Sequence, residues 1–172
     1  ALSAYEGLTL RYALMCRVHY RSPLSFRPNE LEAASGKMGY FYGTLQRCAD
    51  FLEDNERDFH SVLPRQALID SLRANVVDAL HNDLDLQSAL LSVNTAFTAL
   101  NELLGSRKPA KRAVAAVAID RILGIVAELD ALLGLFGDVP ETFLLRHRSR
   151  GAARRGLDEH LIERQIAARI AA

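Results

Sequence analysis

Leu31, Ala34, Met38, Phe41, Leu45, Cys48 and Leu52 follow one another at alternating steps of three and four residues. With about 3.6 residues per turn, an α-helix collects such positions on one side, whereas a strand would scatter them over both faces. A helix carrying this stripe is about 40 Å long at about 1.5 Å of rise per residue, and it gains most of its stability by burying the stripe. The same rhythm returns in three further places. Leu68, Leu72, Val76 and Ala79-Leu80 form one stripe, and Leu86, Leu90, Val93, Phe97, Leu100 and Leu104 form another. Ala118, Ile122, Ile125, Leu129 and Leu132 form the third. No alternating strand pattern stands between them. The expectation is an all-α protein, an antiparallel helical bundle of about five helices with a terminal helix after it.

Local signals divide the chain. A first helical run begins at Leu8 and ends before Pro23, which lacks an N–H and pushes Ser22 out of the helical region. Pro28, with Glu30 close behind, suits the first turn of the long second helix. Gly36, Gly39 and Gly43 share a face of that helix, each costing about 1 kcal/mol relative to alanine. Either another backbone approaches closely there or the helix is locally irregular. The polar run Glu53 to Ser61 makes a connection, and Pro64 is expected to open the third helix. Asp85 is a candidate N-cap for the fourth, which Gly105 ends. Arg107-Lys108-Pro109 marks a loop, and the fifth helix stops between Gly134 and Gly137. Residues 143–156 read as a mobile, loop-like stretch. Asp158 can then cap a last amphipathic helix carrying Ile162, Ile166 and Ile170. The expected organisation is a bundle over 1–145, a basic linker over 146–157 and a terminal helix over 158–172.

A chain of 172 residues, nearly half of them apolar, is long enough to bury one substantial core. No apolar run reaches the length of a membrane span. Two cysteines without a spacing motif give no disulfide framework, so the expected compartment is a reducing cytoplasm. Formal net charge is zero, but the charges are segregated. Residues 50–58 are mostly acidic, whereas residues 146–155 hold five Arg, one His and no acid.

The junction after the first helix carries more information than a generic helical turn needs. His19-Tyr20-Arg21-Ser22-Pro23-Leu24, after Leu8-Thr9-Leu10-Arg11-Tyr12-Ala13-Leu14, resembles the helical-bundle domain of cysteinyl-tRNA synthetases. In that class I family the bundle begins near an Asp-Ala-Leu-Arg signature. Leu10 and Arg11 match it, while Leu8 and Thr9 replace its Asp and Ala. Leu80-His81-Asn82-Asp83-Leu84-Asp85 is similar to the family's acidic loop before a helix, with Asp83 keeping one acid. Leu133-Gly134-Leu135-Phe136, followed by Pro140 and Phe143, resembles its Leu-Gly-Leu-Leu segment and the turn beyond it. Leu161 to Arg169 is similar to the start of the helix leading to the family's small terminal module.

The resemblance implies a tRNA-binding strut supporting ATP-dependent attachment of cysteine to its tRNA. The partners would be tRNA and a catalytic domain of the same polypeptide. ATP and a thiolate-reading zinc would belong to that catalytic domain, with no cofactor in this chain. Its nucleotide-binding motifs are missing from these residues, so the chain alone is expected to be non-catalytic. Ser35-Gly36-Lys37-Met38 superficially resembles one of those motifs but lies inside the best helical stripe. A ligase joining cysteine to an amino sugar shares the bundle and is the nearest alternative. A free-standing helical interaction module is the alternative of another class.

Metal and nucleophile signals are sparse. Cys16 and His19 stand three apart on the first helix, yet no second pair completes a tetrahedral site, so they read as helix side chains. Cys48 lies on an apolar stripe and reads as core. The nucleic-acid candidates are two basic clusters, Arg107, Lys108, Lys111 and Arg112, and Arg146, Arg148, Arg150, Arg154 and Arg155. Such cations suit phosphate contacts, and neither cluster has aromatic residues interleaved for base stacking. Solvated surface charge is the plain alternative. Arg11, His19, Tyr20, Arg21, Ser22 and Pro23 carry the family motif and are candidates for a structural or docking role. For Arg21, the choice lies between a helix-end cation bonded to a carboxylate or carbonyl and an anchor for the catalytic region or tRNA.

Overall fold

The computed structural model describes residues 4–16, 21, 27–157, 164 and 166–169. Six helices run through them: α1 (Gly7–Met15), α2 (Pro28–Glu53), α3 (Gln66–His81), α4 (Leu86–Leu104), α5 (Pro109–Leu133) and α6 (Pro140–Arg154). Residues 166–169 are helical as well, and no strand occurs among the described residues. The fold is all-α. The remaining residues of the expected terminal helix over 158–172 lie outside the described ones.

The helix ends follow from their chemistry. Pro28 and Pro109 occupy the first turns of α2 and α5, where the missing N–H costs nothing. At α2 the Glu30 carboxylate accepts from the Arg27 N–H at 2.7 Å. Asp85 caps α4, accepting from the Ser88 N–H at 3.0 Å and the Ser88 hydroxyl at 2.7 Å. Pro64 stands two residues ahead of α3, because Arg65 at φ 62° turns the chain before Gln66 enters the helix. Gly134 ends α5 in the left-handed region at φ 61°, a conformation glycine adopts without a Cβ penalty.

The expected basic linker over 146–157 is mostly helix. It belongs to α6, which continues through Arg154 and packs on α2. Pro140 starts it, and the fully buried Phe143 anchors it by stacking on Tyr42 with ring centroids 3.8 Å apart. Arg146, Arg150 and Arg154 recur every four residues and so lie along one side of that helix.

Around α2 lie α1, α4, α5 and α6, while α3 packs against α4 and α5. The α2 stripe is core as expected, with Leu31, Ala34, Met38, Phe41 and Cys48 buried and Leu45 and Leu52 at its margin. Leu90, Val93, Phe97 and Leu100 bury the α4 stripe. The α5 face is rotated from the expected one. Ala118, Ile122 and Leu129 are buried, but Leu132 is 57% exposed and Ile119, Val126 and Leu133 are buried instead. Burial of the Cys48 thiol pushes its pKa up to about 12, which keeps it protonated as a small apolar side chain.

The three α2 glycines have different surroundings in an uninterrupted helix. A Cβ on Gly36 or Gly43 would meet nothing within 4 Å, so no backbone approaches either one. A Cβ on Gly39 would lie 2.9 Å from Nε2 of His147, a side chain and not a backbone. His147 stacks on Phe143 at 5.6 Å, and burial, then nearby Arg154, lowers its pKa and favours the neutral ring. Gly36→Ala is expected to stabilise the protein by about 1 kcal/mol through helix propensity. Gly39→Ala is expected to destabilise it, and His147→Ala in the Gly39→Ala background should remove most of that clash. Urea denaturation midpoints of the single and double variants check both statements.

Candidate nucleic-acid interface

The two basic clusters occupy unlike surroundings. In α6 most of the cations are spent on the protein itself. Arg146 pairs with Glu6 at 3.3 Å and also with Asp138. Arg150 pairs with the other Glu6 oxygen at 3.0 Å and donates to the Tyr5 carbonyl. Arg154 pairs with Glu32 at 3.2 Å, donates to the Ala4 carbonyl at 2.8 Å and lies over the Tyr5 ring. Arg155 reaches the same Glu32 at 3.5 Å. This ladder fastens the segment before α1 to α6 and to α2. Arg148, off that line, is exposed.

At α5 the picture is reversed. Arg107, Lys108 and Lys111 are exposed, and among the described residues none of the three is in an ion pair. Arg112 is taken up locally, donating from Nε to Asn55 Oδ1 at 2.7 Å with its guanidinium 4.7 Å over the Phe51 ring. Cations in the first turn of a helix oppose its dipole, which favours acids there. Stability alone therefore does not account for Lys108, Lys111 and Arg112 at this end.

Charge that is segregated along the sequence meets again in space. Residues 54–65, between α2 and α3, cross the start of α5, where the Asp58 N–H donates to the Ala113 carbonyl at 3.2 Å. Asp58 then folds the turn, accepting from the His60 N–H at 2.9 Å and the Ser61 hydroxyl at 2.7 Å. These two bonds hold its pKa below the usual carboxylate range. The turn leaves Phe59 65% and Val62 91% exposed. An open cavity of about 700 Å³, lined by Val62, Leu63, Pro64, Leu103, Val114 and Lys111 among others, lies between the turn and α5. Sequence reasoning missed Phe59 and Val62, because only the tertiary crossing sets this turn against α5 and brings Val62 and Lys111 to one cavity.

Of the family-motif residues, Arg11 has a clear structural task. Its Nε donates to the Leu133 carbonyl at 2.7 Å, and its guanidinium lies 3.2 Å from where a Cβ on Gly134 would be. Arg11 thus caps the end of α5 and ties α1 to it. Arg21 pairs with the Asp83 carboxylate at 3.1 Å, with both side chains exposed. His19, Tyr20, Ser22 and Pro23 lie outside the described residues.

Among the described residues, no group of three or more His, Cys, Asp or Glu could hold a metal ion. Neither Cys16 nor Cys48 is in a disulfide. Ser35, in the segment that resembles a nucleotide motif, is buried and accepts from Arg154 at 3.3 Å. Lys37 in the same segment donates to Asn94 and lies over the Tyr40 ring. Both are committed to helix packing. No helix among the described residues is long and apolar enough to cross a membrane.

No family model matches the chain. Similarity to individual proteins is extensive. It is 31% identical over 171 residues to the cysteine–tRNA ligase of Nitratidesulfovibrio vulgaris, covering 98% of this chain and 35% of that protein. It is 32% identical over 177 residues to the cysteine–tRNA ligase of Geobacter metallireducens, covering 99% of this chain and 35% of that one. The chloroplastic/mitochondrial cysteine–tRNA ligase of Zea mays is 26% identical over 176 residues, covering 99% of this chain and 30% of the ligase. The chain spans about a third of the length of these relatives. Over nearly its whole length, this chain is homologous to the C-terminal part of cysteine–tRNA ligases.

Proposed function

We propose that the chain is the helical, tRNA-contacting part of a cytoplasmic cysteine–tRNA ligase, which attaches cysteine to tRNA at the expense of ATP. The observation that carries this reading is the homology, which runs through all six helices rather than one motif. The names of these relatives favour the tRNA ligase over the amino-sugar ligase and over an unrelated interaction module. In this reading ATP and zinc act in a catalytic region of the same polypeptide. The bundle is a rigid strut. α1 is fastened to the end of α5 by Arg11, and the segment before it to α6 by the arginine ladder. The exposed cations Arg107, Lys108, Lys111 and Arg148 are its phosphate contacts, while Arg112, Arg146, Arg150, Arg154 and Arg155 serve mainly to hold the bundle together.

This division predicts different outcomes for the two clusters. Binding of the purified chain to a tRNA transcript should be weak and steeply salt-dependent. Each phosphate contact removed should reduce the magnitude of the log–log salt slope by roughly 0.7–0.9. The triple change Arg107→Gln, Lys108→Gln and Lys111→Gln should therefore flatten the slope and leave folding intact. Arg146→Gln, Arg148→Gln and Arg150→Gln together should flatten it by about one contact and chiefly lower stability. Unaltered slopes in both variants, with native circular dichroism, would remove the phosphate contacts from this reading.

A further inference from the structure

We propose that the 58–63 turn and the start of α5 together hold one unstacked nucleotide of an RNA, with its base on Phe59 and the adjoining apolar cavity and its phosphate on Lys108 and Lys111. This rests on the tRNA-contacting role proposed above and specifies where and how a nucleotide would be held.

Four observations converge on it. The turn is fixed, through Asp58 to Ala113 and through its own Asp58 bonds to His60 and Ser61, so Phe59 and Val62 are held in water by a built support. A cavity of about 700 Å³ next to them falls in the roughly 300–1,000 Å³ range of small-ligand sites and is lined largely by aliphatic side chains, with Ser61, Ser106 and the Asp58 carboxylate, already bonded to His60 and Ser61, also in its wall. Lys111 stands in its wall, with Lys108 and Arg107 exposed just before it. Finally, those cations sit at the helix end where the dipole already favours an anion, so a phosphate there would gain from both. An apolar surface joined to unpaired cations matches the two halves of a nucleotide, because RNA recognition combines stacking of a splayed base with backbone phosphate contacts. A purely apolar protein segment would cover Phe59 and leave the cations unmatched. Asp54 and Glu56 line a neighbouring hollow together with Pro109 and Arg112, so the strand should not leave in that direction.

The two halves can be tested separately in the purified chain, using a tRNA transcript and poly-glutamate as probes. Phe59→Ala should weaken tRNA binding by roughly 5- to 150-fold, the range expected for a lost base–aromatic stack, with an unchanged salt slope. Lys111→Gln should weaken binding and also reduce the slope by roughly 0.7–0.9. Phe59→Trp should retain affinity, and its emission should be quenched by tRNA and not by poly-glutamate. If wild-type protein binds tRNA and both Phe59→Ala and Lys111→Gln bind it equally well, the nucleotide site is overturned while the broader tRNA role stands. If wild-type protein does not bind tRNA, the tRNA role and this site both fall. Equal quenching by poly-glutamate would overturn the nucleotide and assign the patch to an acidic protein segment.

Discussion

Phe97→Ala is expected to destabilise the protein by about 3–5 kcal/mol, the usual cost of removing a buried aromatic side chain. Phe97 is wholly buried on α4, and its ring lies 4.5 Å from Phe41 of α2 and 5.3 Å from Phe136 beyond α5, centroid to centroid. Phe41 in turn meets Tyr12 of α1 at 5.8 Å and Phe136 at 5.7 Å, both edge to face. The lost ring thus leaves a cavity where α2, α4 and the turn after α5 converge, and long helices cannot collapse to fill it. Leu45→Ala should cost less, because Leu45 is only half-buried. Denaturant unfolding checks the ranking. Equal losses at the two sites would mean that the aromatic cluster is not the centre of the core.

Glu6→Gln is expected to cost about 1–3 kcal/mol, although the substitution barely changes shape. The Glu6 side chain is only 8% exposed and holds Arg146 on one oxygen and Arg150 on the other. Removing its charge leaves two guanidiniums around a neutral amide that can accept from them only at its one carbonyl. The cost stays below that of a fully buried ion pair, because both arginines remain partly in water and Arg146 keeps Asp138. Half of the test lies in salt. The difference between wild type and Glu6→Gln should shrink when denaturation is repeated at high ionic strength, since partly exposed pairs are screened. A loss that is insensitive to salt would point to packing of the residue and not to its charge.

These sites explain which parts of the molecule could be read in advance. α2 and α4 each have one apolar stripe bounded by polar residues, so periodicity identifies the buried side. α5 is apolar on most sides, with Ala115 to Ile119 buried in succession, so the pattern fixes the helix but not its rotation. α6 escaped because its helical signal is written in arginine. Its apolar anchors are few, while Ser149 and Gly151 suggest a loop. The i, i+4 recurrence of Arg146, Arg150 and Arg154 was available as a signal, but apart from Asp138 beside Arg146 its acidic partners are Glu6 and Glu32, more than a hundred residues away. Separation in sequence likewise hides the meeting of Val62 with Lys111 at one cavity. Local spacing determines helices, whereas a surface assembled by a crossing loop depends on the packing of the whole.

The arginine ladder also sets a schedule for synthesis. Arg154 bonds the carbonyl of Ala4 across 150 residues, so the segment before α1 cannot be secured until nearly all of the bundle has left the ribosome. At about 5–20 residues per second that delay is roughly 8–30 s. Throughout it, Tyr42 lacks the Phe143 ring that covers it in the finished protein, and α2 shows an aromatic, glycine-containing surface to neighbouring nascent chains. Arrival of α6 is therefore the event that covers this face of α2.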